Sequence, residues 1–298
     1  MRTLSDMKDS SPTWVKDVAN KATRSWGLAT SPWRDAPDFL ILGTKRGGTT
    51  SLWNNLLQHP QVMGMYPQVR GRKSSDYFFS ADTHSAAWYR SHFPSRVQRS
   101  AITKSSGGAP VSGEASPYYM YGPHCPRLIA EAVPDVKALV LLRDPVERAY
   151  SHYQERKKQN VETLSFEDAL DAEASRLAPD HQRWLDDPHY YSSAHDFFAY
   201  RDRGVYLPQI QRIQAALPAE QILILRAEDF YDSYQGSYDQ VTDFLGVSRW
   251  QMPTAEHHNL IPRSPMEDAT RAELTHFYAQ PNVELEHHLG RDLKWAKN

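Results

Sequence analysis

Phe39-Leu40-Ile41-Leu42-Gly43-Thr44-Lys45-Arg46-Gly47-Gly48-Thr49-Thr50-Ser51 is the stretch from which the fold of this 298-residue chain is read. Four consecutive apolar residues, Phe39 to Leu42, have the length and composition of a strand buried on both faces. Gly43 to Gly48 then reads as a tight loop, and Thr49 to Leu57 as a helix that stops near His59-Pro60. In such a strand, glycine loop, helix unit the loop turns its N–H groups inward and the first helical turn adds its free amides, so the unit can hold a phosphate. A nucleotide triphosphate loop reads G-x-x-x-x-G-K-[ST]. Gly43, Gly48 and Thr50 fit that pattern, but Thr49 stands where the lysine belongs, and the lysine has moved into the loop as Lys45, beside Arg46. With no Walker B aspartate evident either, the loop is poorly equipped to bridge β- and γ-phosphates around Mg²⁺. It suits a single phosphate bearing a transferable group, with Lys45 at the bridging oxygen where charge develops as the bond breaks.

Outward from this unit, Val136 to Leu142 reads as a second continuous apolar strand, and Pro145 restarts a helix through Tyr153. Gln221 to Leu225 is a third strand. Helices are expected over Pro126–Ala132, within Ser165–Tyr200, over Gly204–Leu217, and over Asp239–Leu245 with Gly246 as its cap. Strands alternating with helices at these separations indicate an α/β, three-layer fold around a central parallel sheet. Residues 1–36 read as an N-terminal arm carrying aromatic anchors, Trp14, Trp26 and Trp33, and residues 37–298 as one domain. The aromatic-rich segment Tyr66 to Ser100 reads as a cleft wall, and Thr103 to Pro110 as a mobile loop.

Composition narrows the classes. Thirty-four basic residues against 36 acidic ones give a formal charge of -2, so no broad field argues for nucleic acid or an anionic membrane as partner. No apolar run approaches the ~20 residues that span a bilayer, and the polar N-terminus lacks a signal-peptide core, so a cytoplasmic protein without membrane insertion is expected. The single cysteine, Cys125, excludes an intramolecular disulfide and a thiolate metal cluster. The 13 histidines are scattered, and the pairs His257-His258 and His287-His288 lack a third ligand at a recognisable spacing, so no metal is expected.

Lys45 to Leu52, followed by His59-Pro60, resembles the 5′-phosphosulfate loop of sulfotransferases that use PAPS (3′-phosphoadenosine 5′-phosphosulfate), in particular their bacterial and heparan-sulfate-type branch. A second stretch, Arg143-Asp144-Pro145-Val146-Glu147-Arg148-Ala149-Tyr150-Ser151-His152-Tyr153, resembles the family's R-D-P-x-x-R-A-x-S-x-Y element. The resemblance implies a P-loop-like sulfotransferase architecture. It implies that Lys45, Arg46, Gly47, Gly48, Thr49, Thr50 and Ser51 hold the 5′ end of the donor, and that Arg143 and Ser151 hold its 3′-phosphate. An arginine at a strand end and a serine one to two turns into the next helix can converge on one phosphate. Asp144 reads as a helix cap, while Arg148 is open between pairing with an acid and touching the donor. Gly113-Glu114-Ala115-Ser116-Pro117-Tyr118-Tyr119 resembles the family's segment between the phosphate sites, Arg203-Gly204-Val205-Tyr206 an R-G-x-Y element whose arginine and glycine lie near the donor, and Leu289 to Trp295 its C-terminal end.

The acceptor side departs from this pattern. The family branch carries its catalytic glutamate in a K-E-x-H-[FY]-F element, which here reads Lys73-Ser74-Ser75-Asp76-Tyr77-Phe78-Phe79, with Ser74 at the glutamate's place. Serine is no base at neutral pH, so another group must take the acceptor's proton. Asp76 is the first candidate, Glu114 the second and His84 a distant third. The resemblance implies an acceptor hydroxyl or amine on a small molecule or glycan. Tyr66, Tyr77, Phe78, Trp88, Tyr89, Tyr118 and Tyr119 could wall an acceptor pocket. Arg70, Arg72, Lys73, Arg90, Arg96, Arg99 and Lys104 could form either a basic groove for an acidic glycan or an ordinary solvated face. Two rivals stay open at this level: a P-loop nucleotide kinase, and a non-catalytic PAPS-binding protein that has lost the base.

Overall fold

The computed structural model describes residues 22–67, 72–79, 83–252 and 265–295. Trp14, Arg70 and the His257-His258 pair lie outside the described residues. The elements run β1 (Phe39–Gly43), α1 (Thr49–Leu56), β2 (Val62–Met63), α2 (Ala86–Arg90), α3 (Arg96–Ser106), β3 (Val111–Ala115), α4 (Cys125–Ala132), β4 (Lys137–Leu142), α5 (Pro145–Lys158), α6 (Phe166–Asp186), α7 (Ser193–Phe198), α8 (Leu207–Ala216), β5 (Ile222–Arg226), α9 (Asp229–Asp232), α10 (Tyr234–Leu245) and α11 (Asp268–Leu289). The strands form one sheet in the order β2-β3-β1-β4-β5, and every pairing is parallel.

Alternation along β1 and β4 divides the core in two. Leu40, Leu42, Ala138, Val140 and Leu142 face one layer with Ile129, Ile210 and Ile213. Phe39, Ile41, Leu139 and Leu141 face the other with Leu52, Trp53, Leu56, Tyr238 and Val241. Because β1 lies at the centre, the chain leaves it toward β2 and β3 on one side and later fills β4 and β5 on the other. The crevice at the carboxyl ends of β1 and β4 is therefore a topological switch point, where open α/β sheets place their ligands. No helix of the described residues is long and apolar enough to cross a membrane.

Four sequence expectations are corrected. The stretch expected to be a mobile loop, Thr103 to Pro110, begins inside α3, whose Ser95-Gln98 capping box and left-handed Gly107 give it a defined start and stop. The segment read only as a cleft wall contains helix α2 and the start of α3. Strands β2 and β3 were not expected: β2 has two residues, and β3 is interrupted by Gly113 and Glu114. Trp26 and Trp33 are not anchors, since both are more than half exposed. Residues 22–36 are instead tied down by Arg24, which donates to the carbonyls of Tyr66 and Ser91, and by Arg34, which donates to that of Phe93 and lies 4.1 Å over the Tyr66 ring.

Candidate active site

The loop after β1 packs onto β4: Thr44 N donates to Leu141 O at 2.7 Å and Gly47 N to Thr44 O at 2.9 Å. Gly48 takes a left-handed φ of 92° to enter α1 and offers no side chain to cap it. Serines or an aspartate do cap α2, α3, α5, α6 and α7, through Ser85, Ser95, Asp144, Ser165 and Ser192. The α1 N-terminus shares the lack of a side-chain cap with α4, α8, α9, α10 and α11, and what distinguishes it is the glycine loop carrying Lys45 and Arg46 that leads into its positive dipole end. Above it, Lys73 Nζ donates to Thr50 Oγ1 at 2.8 Å and lies 3.4 Å from Thr49 Oγ1. Burial lowers the Lys73 ammonium to about 8, an effect that Glu155 and Asp76 oppose.

Arg46 joins the loop to the second motif. Its own φ is 68°, its carbonyl accepts from Arg143 Nη1 at 3.0 Å, and its guanidinium donates to Ser151 Oγ at 3.0 Å and to Glu155 Oε1 at 2.9 Å. Ser151 and Glu155 can both reach it because residues four apart share one face of α5. Arg143 and Ser151, remote from the loop in sequence, therefore meet it through a single residue. Asp144 caps α5, accepting from Val146 N at 2.8 Å. Arg148 makes no ion pair with an acid among the described residues; it is fully buried and donates to the Tyr200 carbonyl.

Lys45 is only 4% exposed. Its Nζ is 3.0 Å from Asp196 Oδ1, 3.3 Å from Tyr118 OH and 4.0 Å from Glu155 Oε2. Asp196 Oδ1 also accepts from Arg156 Nη2 at 3.2 Å, while Oδ2 accepts from Tyr191 OH at 2.7 Å. Burial lowers the Lys45 ammonium to about 7, and the neighbouring Arg203 and Arg156 add to this against Asp196 and Glu155. Burial acts upward on the Asp196 carboxyl, but Lys45, Arg203, Tyr191 and Arg156 together hold it below the ordinary carboxylate value. Tyr118 stacks on Phe79 at 4.7 Å, and Tyr191 meets Phe79 edge-on at 5.6 Å, so an aromatic wall borders the lysine.

Arg203 is fully buried, 4.3 Å over the Tyr121 ring, and donates to His195 O at 2.8 Å; its Nε and Nη1 have no hydrogen-bond partner among the described residues. A buried guanidinium left so incompletely paired beside Lys45 and Arg156 fits a site that receives an anionic ligand. At Gly204, a Cβ would lie 2.4 Å from Tyr278 OH, so this glycine serves close packing against α11.

The candidate bases separate sharply. Asp76, at φ 55°, accepts from Ser74 Oγ at 2.7 Å and Ser116 Oγ at 3.0 Å, both on Oδ1. Its charge acts on both Lys73 and Tyr118, the latter bonded to Lys45, which puts the carboxylate within electrostatic range of the loop. Glu114 pairs in register with Leu40 and is fully buried. Its oxygens accept from Ser75 N at 2.7 Å, Tyr89 OH at 2.9 Å and Tyr119 OH at 3.0 Å, and burial raises its pKa. Those bonds offset its desolvation and tie Glu114 of β3 to Ser75, Tyr89 and Tyr119. His84 stacks on Trp88 at 3.7 Å, beside a cavity of about 260 Å³ lined by Tyr77, Leu128 and Pro188.

The aromatic residues do not form one pocket. Phe78, Tyr89 and Tyr119 are core, whereas Tyr118 faces the lysine. The basic run disperses too: Arg96 pairs with Asp35, and Arg99 with Asp38 at the amino end of β1, the end opposite the loop. Sequence reading did not single out Arg156, Tyr191 or Asp196. The one available signal was the four-residue spacing of His152 and Arg156, parallel to that of Ser151 and Glu155.

The sequence matches the Sulfotransferase domain family over residues 36–261. It is 24% identical over 87% of the chain to the membrane-associated sulfotransferase kil1 of Dictyostelium discoideum, and 30% identical over 74% of the chain to heparan sulfate glucosamine 3-O-sulfotransferase 6 of Homo sapiens. It spans 66% and 56%, respectively, of the length of these curated relatives. The fold is similar to the crystal structure of a sulfotransferase from Alicyclobacillus acidocaldarius, with a TM-score of 0.66 and 27% identity over 87% of this chain and 97% of that one. An uncapped glycine loop carrying its own lysine, joined through Arg46 to an arginine and serine on the next strand–helix unit, agrees with that match, and the chain belongs to the sulfotransferase family.

Proposed function

We propose that this chain transfers a sulfuryl group from PAPS to a hydroxyl or amine of a small-molecule or glycan acceptor and releases adenosine 3′,5′-bisphosphate (PAP). The observation that carries this reading is the meeting of Lys45, the uncapped α1 N-terminus, Arg143 and Ser151 around the loop, which supplies separate cationic and hydroxyl donors for the two phosphate ends of the donor. The α1 amides with Thr49, Thr50 and Ser51 bind the 5′-phosphate, and Lys73 orients the threonine hydroxyls. Arg143 and Ser151 bind the 3′-phosphate, with Arg46 tying them to the loop.

In the transfer step the acceptor oxygen or nitrogen forms a bond to sulfur as the bond from sulfur to the bridging oxygen breaks. The electron pair of the broken bond goes to the phosphate oxygen. Lys45 stabilises that charge, and Asp76 takes the acceptor's proton. Ser74, at the place of the family's glutamate, serves here by donating to Asp76. Since Arg96 and Arg99 are paired away from the loop, we read the acceptor as one without a long array of acidic groups. The compartment we read as cytoplasmic, supported by a single cysteine that is a buried free thiol.

Calorimetry with PAP against ATP plus Mg²⁺ tests the donor assignment: PAP binds and ATP–Mg²⁺ does not, and the reverse would establish the kinase reading. Ser151→Ala and Arg143→Ala each weaken PAP about 10-fold or more, as expected when a charged phosphate loses one hydrogen-bond donor. Unchanged affinity in both would remove the 3′-phosphate assignment. Asp76→Asn lowers turnover about 10²-fold at saturating donor, whereas Glu114→Gln acts on thermal stability; full turnover in Asp76→Asn would exclude it as the base.

A further inference from the structure

We infer that Asp196 is a positioning residue for sulfuryl transfer: from α7, its carboxylate fixes the Lys45 side chain at the donor loop and favours its charged form. The inference rests on the assignment of Lys45 to the leaving phosphate, and it concerns how that lysine retains a proton in a site built to be cationic.

The packing around Lys45 sets the problem. From α5 it faces Glu155 at 4.0 Å and lies among Arg156 and His152; from the turn before α8 it faces Arg203; from the segment after β3 it meets Tyr118. The guanidinium groups favour a neutral lysine, and burial acts in the same direction. Burial and the same cations, Lys45 included, hold His152 well below the ordinary histidine value, so it adds no charge of its own at neutral pH. Glu155 is divided between Lys45 and Arg46, with the closer contact, 2.9 Å, going to Arg46. Asp196, at 3.0 Å, therefore provides the shortest acidic contact to Lys45.

The position of Asp196 is over-determined. Ser192 caps α7 and the Asp196 side chain follows in its first turn. Arg156 reaches Oδ1 from α5, Tyr191 reaches Oδ2 from the preceding segment, and Arg203 anchors the α7 backbone through His195 O. The side chain is 8% exposed, so water screens its charge little. A carboxylate fixed by several donors, whose remaining reach is toward one lysine, holds the ammonium in one place and offsets the neighbouring guanidinium charge.

The test uses PAP binding by the full chain, measured calorimetrically between pH 5.5 and 8.5 in buffers of different ionisation enthalpy, so that proton uptake is read directly. In the wild-type protein Lys45 gains its proton as the 5′-phosphate binds, with the uptake midpoint near pH 7. In Asp196→Asn and Asp196→Ser the midpoint falls by at least about one pH unit, because the unliganded lysine is more strongly neutral. Asp196→Glu restores part of the shift. In a Lys45→Met background this uptake step is absent, and adding Asp196→Asn moves nothing. Circular dichroism confirms folding, and either of the two neutral variants suffices. PAP binding with an unmoved midpoint overturns the role of Asp196 alone. Failure of the wild-type protein to bind PAP overturns the donor assignment beneath it.

Discussion

Lys45→Ala lowers turnover about 10²- to 10³-fold, the usual effect of removing one preorganised donor from developing transition-state charge, while PAP affinity changes by about tenfold or less. The split follows from the geometry. The ground-state donor is held by many groups, including the α1 amides, Lys73 through Thr49 and Thr50, and the Arg46–Arg143–Ser151 group, so one lysine contributes a fraction of binding. The charge that grows on the bridging oxygen as the bond to sulfur breaks is met by Lys45 alone in the proposed mechanism, and an interaction realised only in the transition state appears in kcat.

The pH profile carries the same assignment. With its folded-state value lowered to about 7, free-enzyme Lys45 loses its proton as pH rises through neutrality, so kcat/KM falls on the alkaline side of about 7. Lys45→Arg retains charge at all accessible pH and lacks that limb, though its planar fork lowers the rate. Stopped assays of sulfuryl transfer from PAPS, paired with PAP calorimetry, check both points. A loss of affinity equal to the loss of rate, or an unchanged kcat in Lys45→Ala, would remove the lysine from the chemical step.

The second large effect falls on folding. Gly113→Ala costs about 3 kcal/mol, at the upper end of overpacking substitutions, and chemical denaturation reads it. A Cβ at this position would stand 2.4 Å from Phe39 O and 2.7 Å and 2.8 Å from atoms of the Phe39 ring. Neither neighbour can yield cheaply. The carbonyl belongs to central strand β1, paired with Gly113 in register, and the ring is fully buried against Trp53. Relief requires spreading β3 from β1, and the spread is felt at the loop because the same register carries Ile41 beside Ala115. PAP affinity therefore falls along with stability. A midpoint within experimental error of wild type would show that the strand pair opens more easily than its packing indicates.

Much of this was legible in the sequence because it is local. Strands β1, β4 and β5 are continuous apolar runs, Pro145 and Gly246 stand at helix ends where their backbone preferences place them, and the loop glycines stand beside the hydroxyls and cations they present. β3 escaped the same reading because its apolar run is broken by Gly113 and Glu114. Both are there for reasons visible only in three dimensions: the glycine gives Phe39 room, and the glutamate is satisfied by Ser75 and two tyrosines. α3 escaped because its serines and threonine read as a loop, although Ser95 and Gln98 cap it.

Local pattern alone carries the expected donor half: a strand, a glycine loop with a displaced lysine, and an arginine–serine element at the next strand. Each depends on contacts over a few residues, where backbone geometry and side-chain type suffice. The remainder is a product of long-range packing, which turned Glu114 into the core, set Asp76 near the loop, and brought Asp196 to Lys45 across 151 residues of chain. A contact at that separation is made by the packing of whole elements, here α7 against α5 and the turn at Arg203, and no local pattern around either residue encodes it.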